Sequence, residues 1–485
     1  MKWVNGIGGE AFVKEQSEDV VPVSGGFKSN FYLAQIQCCR LERLKEQAET
    51  NLVIWNREHI HQENQSTASP TVLHSSWIGA YKLLFHNTRS LNCMKGINQG
   101  SIRLQNLYRF FDVLHKNPGI TRKEIAQCTG LSLMTVSNLV DFLERNEAIS
   151  ISQNTDLKGP SPEVGRKAGL ARLDSHKHVW FFIDLTEVYF SFYGFTLNIE
   201  PVFDTVRFEY DKNLSYKNNL LIFLSNVRKM IDNIESSKTV IGIAVGVPGP
   251  YNANSDTVKN VRIPQMNNLK ITELLNQSLG HYVYYIDEDV KFSIRAYVPL
   301  EWTDEAAVQY YLYIGIGVGG AAVVGNHVLK GLHSVAGDIG QINIHNNETF
   351  EQLVSLRTFA FRLGVIQYEQ DQDLSENELL DLVGNQAKRF PDVYQKVLND
   401  MIIVISDMLH IITWMLSPSK IIIDCKYALW SGQNFATNLN DKLCSLIDGR
   451  LPSVPKCELA FNKISPMIIG SYQTIIYGWL ESLIK

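Results

Sequence analysis

The chain has 485 residues, a hydrophobic fraction of 45% and a net charge of −5 at pH 7, a composition typical of a folded protein with several domains. No run approaches the ~18 apolar residues of a membrane span, and Glu10 and Lys14 interrupt any apolar core of an N-terminal leader. The seven cysteines are scattered and form no Cys-x-x-Cys pair, which indicates reduced thiols in the cytoplasm.

The chain divides into three predicted segments: an extension over 1–93, a domain over 94–175 and a larger domain over 176–485. The extension mixes glycine pairs, scattered tryptophans and a polar tract. Its His59 and His61 could bind a metal, but no cluster of further ligands accompanies them. Residues 94–174 carry three more basic than acidic side chains although the whole chain is acidic, so this segment suits DNA binding.

The most informative stretch is residues 120–148, ITRKEIAQCTGLSLMTVSNLVDFLERNEA. Thr121 and Glu124 fit a capping box, Gly130 fits a left-handed helix end, and Ser132 fits the N-cap of a second helix. Apolar residues recur along that helix at helical spacing, namely Val136, Leu139, Val140 and Leu143. Two capped helices around a glycine turn predict a helix-turn-helix, although an ordinary helical hairpin has the same local signature.

The flanking segments favour the DNA-binding alternative. An amphipathic helix over 101–116 precedes the motif, and strands over 148–152 and 165–174 follow it, as in a winged helix-turn-helix. In the major groove, Asn138 could read adenine and Met134 could contact a thymine methyl group. The predicted DNA-binding residues are Arg122, Lys123, Ser132, Met134, Thr135, Ser137, Asn138, Arg166 and Lys167. Further candidates for phosphate contacts are Arg103, Arg109 and Lys158.

From residue 179 onward, short apolar runs alternate with helical segments, which indicates an α/β architecture. Strands are predicted over 179–185, 239–250, 281–290 and 418–425, with a glycine-rich strand–turn–strand over 310–331. Helices are predicted over 219–234, 271–279, 290–298, 351–364, 375–386, 391–416 and 465–484. This order predicts two similar halves, as in the two-lobed actin-like ATPase body of the ribonuclease H-like class.

Together these segments resemble the ROK family of repressors and sugar kinases, on its repressor branch, over residues 94–485. The resemblance rests on the helix-turn-helix, on Gly165-Arg166-Lys167, and on three body segments in the family's order: GIAVGVPGP, DEDVKFSIRAY and YIGIGVGGAAVVGNHVLKGLHSVAGDIG. It implies a body that binds a sugar and dimerises.

The resemblance also identifies where this chain departs from the family's kinases, which bind ATP through two glycine-rich turns. The first turn reads Asp-Leu-Gly-Gly-Thr in the family, whereas this chain has Thr186 and Glu187 in place of the glycines. Glu187 would place a negative charge where a phosphate sits. The second turn, 315–320, is intact, and we interpret it as a closely packed hairpin. We therefore expect no bound cofactor and no catalysis.

A sugar site is implied as well. The family's general base matches Asp289, which could accept a hydrogen bond from a sugar hydroxyl without catalysing a reaction. Arg262 falls near a sugar-contacting position and could pair with an anionic ligand. The predicted ligand-binding residues are Glu288, Asp289, Asp338, Gln341 and Glu351. Gln341 replaces the histidine of the family's zinc site, whose cysteines are missing too, so no metal is predicted.

Three hypotheses stay open on the sequence. The first is a cytoplasmic repressor, a homodimer or a dimer of dimers, that binds double-stranded operator DNA and responds to a sugar or sugar derivative. The second is an ATP-dependent sugar kinase with an attached DNA-binding module, which Asp289 and the intact turn favour. The third is an interaction protein whose body merely dimerises, which Glu288 and Gln341 favour.

Overall fold

A computed structural model describes residues 99–153, 169–185, 189–259, 263–298, 307–345, 347–367, 374–431, 434–460 and 464–485. The described residues lie within one compact unit, Gly96–Lys485. Several predicted features lie outside them: the extension over 1–93 with His59 and His61, and the side chains Lys158, Arg166, Lys167, Thr186, Glu187 and Arg262.

The first described element group is a winged helix-turn-helix, which confirms the prediction. Helix α1 (Gln99–Lys116) precedes α2 (Arg122–Thr129), which begins at the Thr121 capping box and ends at Gly130 with a φ of 69°. Ser132 caps α3 (Leu133–Arg145), because its hydroxyl accepts the Thr135 backbone N–H. A three-stranded antiparallel sheet has β3 in its centre: β1 (Ile120–Thr121), β2 (Ile149–Gln153) and β3 (Gly169–Leu173).

The first lobe of the body is a five-stranded sheet in the order β10-β7-β4-β5-β6. Its strands are β4 (His178–Asp184), β5 (Tyr189–Thr196), β6 (Val206–Glu209), β7 (Thr239–Val247) and β10 (Tyr284–Glu288). The short hairpin of β8 (Tyr251–Asn252) and β9 (Thr257–Val258) follows β7. Helices α4 (Tyr216–Glu235) and α5 (Ile271–Leu279) supply apolar side chains to the core on one side of the sheet.

The second lobe repeats the same topology, with strand order β13-β12-β11-β16-β17. In each sheet, three consecutive strands pair antiparallel, and two later strands pair parallel beyond the first. The strands are β11 (Val308–Ile314), β12 (Val318–Val324), β13 (His327–Val328), β16 (Lys420–Cys425) and β17 (Lys456–Leu459). A small hairpin of β14 (Asn343–His345) and β15 (Glu348–Thr349) lies between β13 and the helices. Two lobes of one topology confirm the predicted actin-like body.

The helices of the body are α6 (Asp289–Arg295), α7 (Phe350–Val354), α8 (Leu356–Arg362), α9 (Glu376–Arg389), α10 (Pro391–Leu416), α11 (Asn434–Ile447) and α12 (Pro466–Ile484). The single helix predicted over 351–364 is wrong, because the chain breaks at Ser355, which is extended with a ψ of 156°. Its hydroxyl caps α8, and the next N–H, of Leu356, donates to the Gly315 carbonyl at 2.7 Å. The break therefore ties the helix start to the glycine-rich turn.

Helix α10 is long and apolar enough to cross a membrane by length and composition, which the sequence reading did not anticipate. However, 56% of its apolar window is buried inside the second lobe, around Leu398, Met401, Ile405 and Leu409. A mostly buried core helix of a globular domain passes the same test, so α10 is weak evidence for a membrane span.

The winged domain and the first lobe share one continuous hydrophobic core. Helix α12 joins them, since the Tyr108 hydroxyl of α1 donates to the Tyr477 carbonyl at 2.7 Å and the two rings stack at 4.5 Å. Phe111 also meets Trp479 edge-on, with ring centroids 6.3 Å apart. The DNA-binding domain is therefore packed onto the body through buried contacts.

Candidate functional site

The recognition helix α3 presents an exposed surface at its N-terminal end. Met134 is 76% exposed, and Asn138 and Lys123 are exposed too. Other predicted DNA-binding side chains make contacts within the helix-turn-helix. The Ser132 and Thr135 hydroxyls lie 2.9 Å apart within the cap, and Arg122 pairs with Asp141 of α3 at 3.2 Å. Ser137 is half-buried. Met134 and Asn138 are therefore the predicted residues best placed to reach base edges.

A groove of about 510 Å³ runs between α1 and α3. The Arg103 guanidinium lies 4.3 Å from the centroid of the Phe142 ring. The groove is lined by Ile102, Arg103, Asn106, Thr135, Asn138, Leu139, Phe142 and Arg145. Sequence reasoning missed Arg145. Its spacing was the available signal, because a residue seven positions after Asn138 returns to the same helix face after two turns.

The predicted ligand-binding acids meet where β10 ends and α6 begins. Burial is the main cause that raises the pKa of Glu288 to about 8, and the nearby charges of Asp289 and Asp338 raise this pKa further. Asp289 is half-buried, and its Oδ1 accepts the Val290 backbone N–H at 2.6 Å. The structure thus brings Glu288, Asp289 and Asp338 within electrostatic reach of one another at the end of β10, the edge strand of the first lobe. We call the surroundings of these three acids the ligand cleft.

Glu288 is already engaged by a buried lysine. Lys291 is fully buried, and its ammonium group contacts the Glu288 carboxylate and donates to the Ser334 carbonyl at 2.7 Å. The ammonium group opposes the pKa rise of Glu288 that burial causes. Because Glu288 is only 4% exposed, Asp289 is the more accessible acid at this edge.

The remaining predicted ligand residues lie around the glycine-rich turn. The Glu351 carboxylate accepts the Val318 backbone N–H at 2.9 Å, and the Glu351 N–H donates to the Gly340 carbonyl at 2.9 Å. Asp338 accepts the Gly340 N–H at 3.2 Å. Gln341 follows directly and is exposed. Asp338 and Glu351 are therefore joined through hydrogen bonds to Gly340, and the exposed Gln341 lies next to them in the chain.

The second glycine-rich turn is held by the protein's own carboxylates. Glu376 of α9 accepts the Ile316 backbone N–H at 3.1 Å and the Tyr313 hydroxyl at 2.7 Å, while Glu351 takes the N–H of Val318. A Cβ at Gly315 would overlap the Glu376 carboxylate, which explains the glycine without any nucleotide. Backbone N–H groups that would face a phosphate thus bind internal anions. Sequence reasoning missed Glu376, which lies 60 positions from Ile316 and has no local signal.

No group of three or more His, Cys, Asp or Glu side chains with metal-binding geometry occurs among the described residues. Within the same part of the chain, Cys128, Cys425, Cys444 and Cys457 are free thiols. Burial raises the pKa of the Cys457 thiol to about 12, which keeps it protonated and a poor metal ligand. The absence of zinc stays a prediction.

Two family profiles match the chain. The ROK family matches residues 209–426, and a winged helix-turn-helix DNA-binding family matches residues 112–150. The xylose repressor of Caldicellulosiruptor bescii is 25% identical over 234 residues, 47% of this chain and 56% of that protein. A protein of Caldicellulosiruptor sp. strain Rt8B.4, provisionally given the same designation, is 25% identical over 238 residues, with the same coverage. The chain thus spans about half the length of the curated relatives it matches.

Among solved structures, a ROK family transcriptional regulator described as a homologue of the Escherichia coli Mlc protein superposes with a TM-score of 0.54. It is 16% identical, and the match covers 79% of this chain and 99% of that one. At this identity the match supports the fold alone.

Proposed function

Because the chain belongs to the ROK family and carries a winged helix-turn-helix DNA-binding domain, we propose that it is a transcriptional repressor whose DNA binding responds to a sugar. The relatives named as xylose repressors make xylose and other pentoses the first effectors to test. The observation that carries the proposal is helix α12, which contacts the DNA-binding domain on one side and the ligand cleft's helix on the other.

The path between the two sites is short and closely packed. Helix α6 begins at Asp289, and a Cβ on Gly470 of α12 would overlap the Phe292 carbonyl of α6. Two turns further along α12, Tyr477 stacks on Tyr108 of α1. We expect the sugar to bind at Asp289 with a higher affinity in one arrangement of the lobes than in the other. The change of arrangement moves α6, and α12, which packs on α6, carries the movement to the winged domain. Such a sugar changes DNA affinity because it favours one arrangement.

On DNA, we propose that α3 enters the major groove with Met134 and Asn138 at base edges and with Lys123 near phosphates. Arg103 and Arg145, which line the groove between α1 and α3, add positive charge on the same face. From the sequence, we add Arg166 and Lys167, which lie outside the described residues, as further proposed phosphate contacts. We propose that the protein is cytoplasmic, with a DNA-binding domain over 94–175 and a body over 176–485. A homodimer or a dimer of dimers would present paired DNA-binding domains to paired half-sites.

The alternative function is a sugar kinase with a DNA-binding module, favoured by Asp289 at the position of the family's general base. We propose instead that the body is not catalytic. Phosphoryl transfer depends on holding the phosphates, and the carboxylates of Glu351 and Glu376 take backbone N–H groups of the second turn. The sequence of the first turn supports the same conclusion, because Glu187 would repel a phosphate at that position.

The proposal is tested by fluorescence anisotropy on DNA from upstream of this gene and of neighbouring sugar genes. Asn138→Ala should weaken binding to the preferred fragment by about 1–3 kcal/mol while binding to random DNA changes little. Asn399→Ala, an exposed asparagine on α10, is the matched control and should leave both unchanged. Equal loss on specific and random DNA would contradict base readout by Asn138.

The proposed response to a sugar is tested by adding pentoses and hexoses to the complex of the protein with DNA. One sugar should release the wild-type protein, and Asp289→Asn should raise the concentration required. Asp400→Asn on α10 removes an exposed carboxylate as the control. DNA release by sugar that is identical in wild type and Asp289→Asn would place the sugar elsewhere.

A further inference from the structure

A second cavity lies away from the ligand cleft, at the opposite end of α6 from Asp289. It has a volume of about 280 Å³, which corresponds to roughly nine waters at ~30 Å³ each. Helix α12, strand β10 and the β12–β13 turn surround it, so both lobes contribute to its wall. Its polar lining includes Arg295, Asn326, His327, Gln473 and Glu481.

Arg295 is the notable charge in this cavity. It lies half-buried at the C-terminal end of α6, and burial lowers the pKa of its guanidinium group. Among the described residues, no side chain or carbonyl group accepts a hydrogen bond from it. A guanidinium group has five N–H donors, and the donors of this half-buried group stay available to a ligand in the cavity.

The neighbouring acids already have partners of their own. Asp287, whose charge acts on Arg295, pairs with Lys330 at 2.8 Å between Nζ and Oδ2. Glu481, at the cavity wall, pairs with Lys485 at 3.0 Å. These lysines offset the acids, and Arg295 is left as a positive charge that faces a space large enough for a small molecule.

We propose that this cavity binds a small metabolite through an oxyanion group, with the Arg295 guanidinium as the main contact. A planar guanidinium group matches a carboxylate or a phosphate with two parallel hydrogen bonds. The amide groups of Asn326 and Gln473 supply further donors from the two lobes. Because the cavity lies at the opposite end of α6 from Asp289, this ligand is distinct from the sugar proposed for the Asp289 site and does not depend on it.

The test is calorimetric titration of the full-length protein, without DNA or sugar, with inorganic phosphate and, separately, with acetate. Sodium chloride is adjusted so that ionic strength stays constant. Wild type should bind at least one of the two ions with one site per chain. A preference for phosphate or for acetate identifies the oxyanion class. Arg295→Gln should bind that ion about 30-fold more weakly, as for loss of one partner of a buried charge pair.

Arg389→Gln is the matched control, because Arg389 is exposed and rests on the Phe390 ring. It should bind like wild type. If Arg295→Gln does not fold, Gln473→Glu places a negative charge on the cavity wall and should abolish binding. Equal affinity of wild type and Arg295→Gln, unchanged affinity in Gln473→Glu, or no binding of either ion to wild type would each overturn the proposal.

Discussion

Removal of the Lys291 ammonium group is the sharpest test of how the ligand cleft is built. Lys291 is fully buried and the Glu288 side chain is 5% exposed, so Lys291→Met leaves a buried carboxylate without its counter-charge. It also removes the donor to the Ser334 carbonyl. Breaking a buried ion pair by removing one partner costs about 3–5 kcal/mol. We expect Lys291→Met to lower the free energy of unfolding by that amount at pH 9, where the Glu288 carboxyl group of the wild type, with a pKa of about 8, is ionised.

The double variant Lys291→Met/Glu288→Leu distinguishes two causes of destabilisation: a buried carboxylate without a counter-charge, and a general loss of packing. Replacement of a buried ion pair by apolar residues of similar size is often close to neutral. The Ser334 carbonyl still lacks its donor, which costs about 1–3 kcal/mol. The double variant should therefore be more stable than Lys291→Met, even though it carries one more substitution.

The measurement is urea unfolding at pH 9 followed by far-UV circular dichroism, with Lys177→Met as the control. Lys177 pairs with Glu147 at 3.3 Å, and the two side chains are 45% and 61% exposed, so the loss of this pair should cost no more than about 1 kcal/mol. Destabilisation by Lys291→Met that is no greater than that by Lys177→Met would contradict the buried ion pair. A double variant that loses the sum of its two single losses would contradict it too.

The remaining predictions concern the proton of Glu288, the cap of α3 and phosphoryl transfer. Because burial raises the pKa of Glu288 from 4.5 to about 8, the folded protein holds this proton more tightly. The contribution to stability is then greatest below pH 4.5 and is lost as the pH rises to about 8. Urea unfolding of Glu288→Gln across that range should show a flatter pH dependence than wild type, and parallel profiles would contradict the shift. Ser132→Ala removes the cap of α3 and should destabilise the winged domain by about 1 kcal/mol. Thermal unfolding should detect this loss, whereas an unchanged transition would argue against the cap. A coupled ADP-release assay over hexoses, pentoses and amino sugars should show no turnover, and turnover that disappears in Asp289→Asn would instead establish a kinase.

Local chemistry made the DNA-binding domain predictable from the sequence. Thr121, Gly130 and Ser132 act on backbone groups within a few residues, so their pattern fixes where α2 and α3 begin and end. The apolar spacing of α3 likewise reports its buried face, with Val136 and Leu143 fully covered. Strand β1 escaped prediction because two residues, Ile120 and Thr121, carry no alternating pattern of their own.

The candidate cleft was predictable in position but not in chemistry. Glu288, Asp289 and Asp338 were identified through the family resemblance, and the structure brings them together. The pairing of Glu288 with Lys291 requires knowledge of burial, since a Glu and a Lys three positions apart usually form a solvated surface pair. Contacts that join distant segments, such as Glu376 with the turn at Ile316, depend on the packed fold and leave no trace in the local sequence.

The shared core between α1 and α12 has a consequence for synthesis of the protein. The winged domain is complete in sequence by Leu173, yet the helix that covers Tyr108 and Phe111 begins at Pro466. At translation rates of roughly 5–20 residues per second, the interval between the two is about 15–60 s. During that interval Tyr108 and Phe111 lack their contacts with Tyr477 and Trp479. A nascent chain therefore acquires its DNA-binding domain in final form after nearly the whole body has emerged.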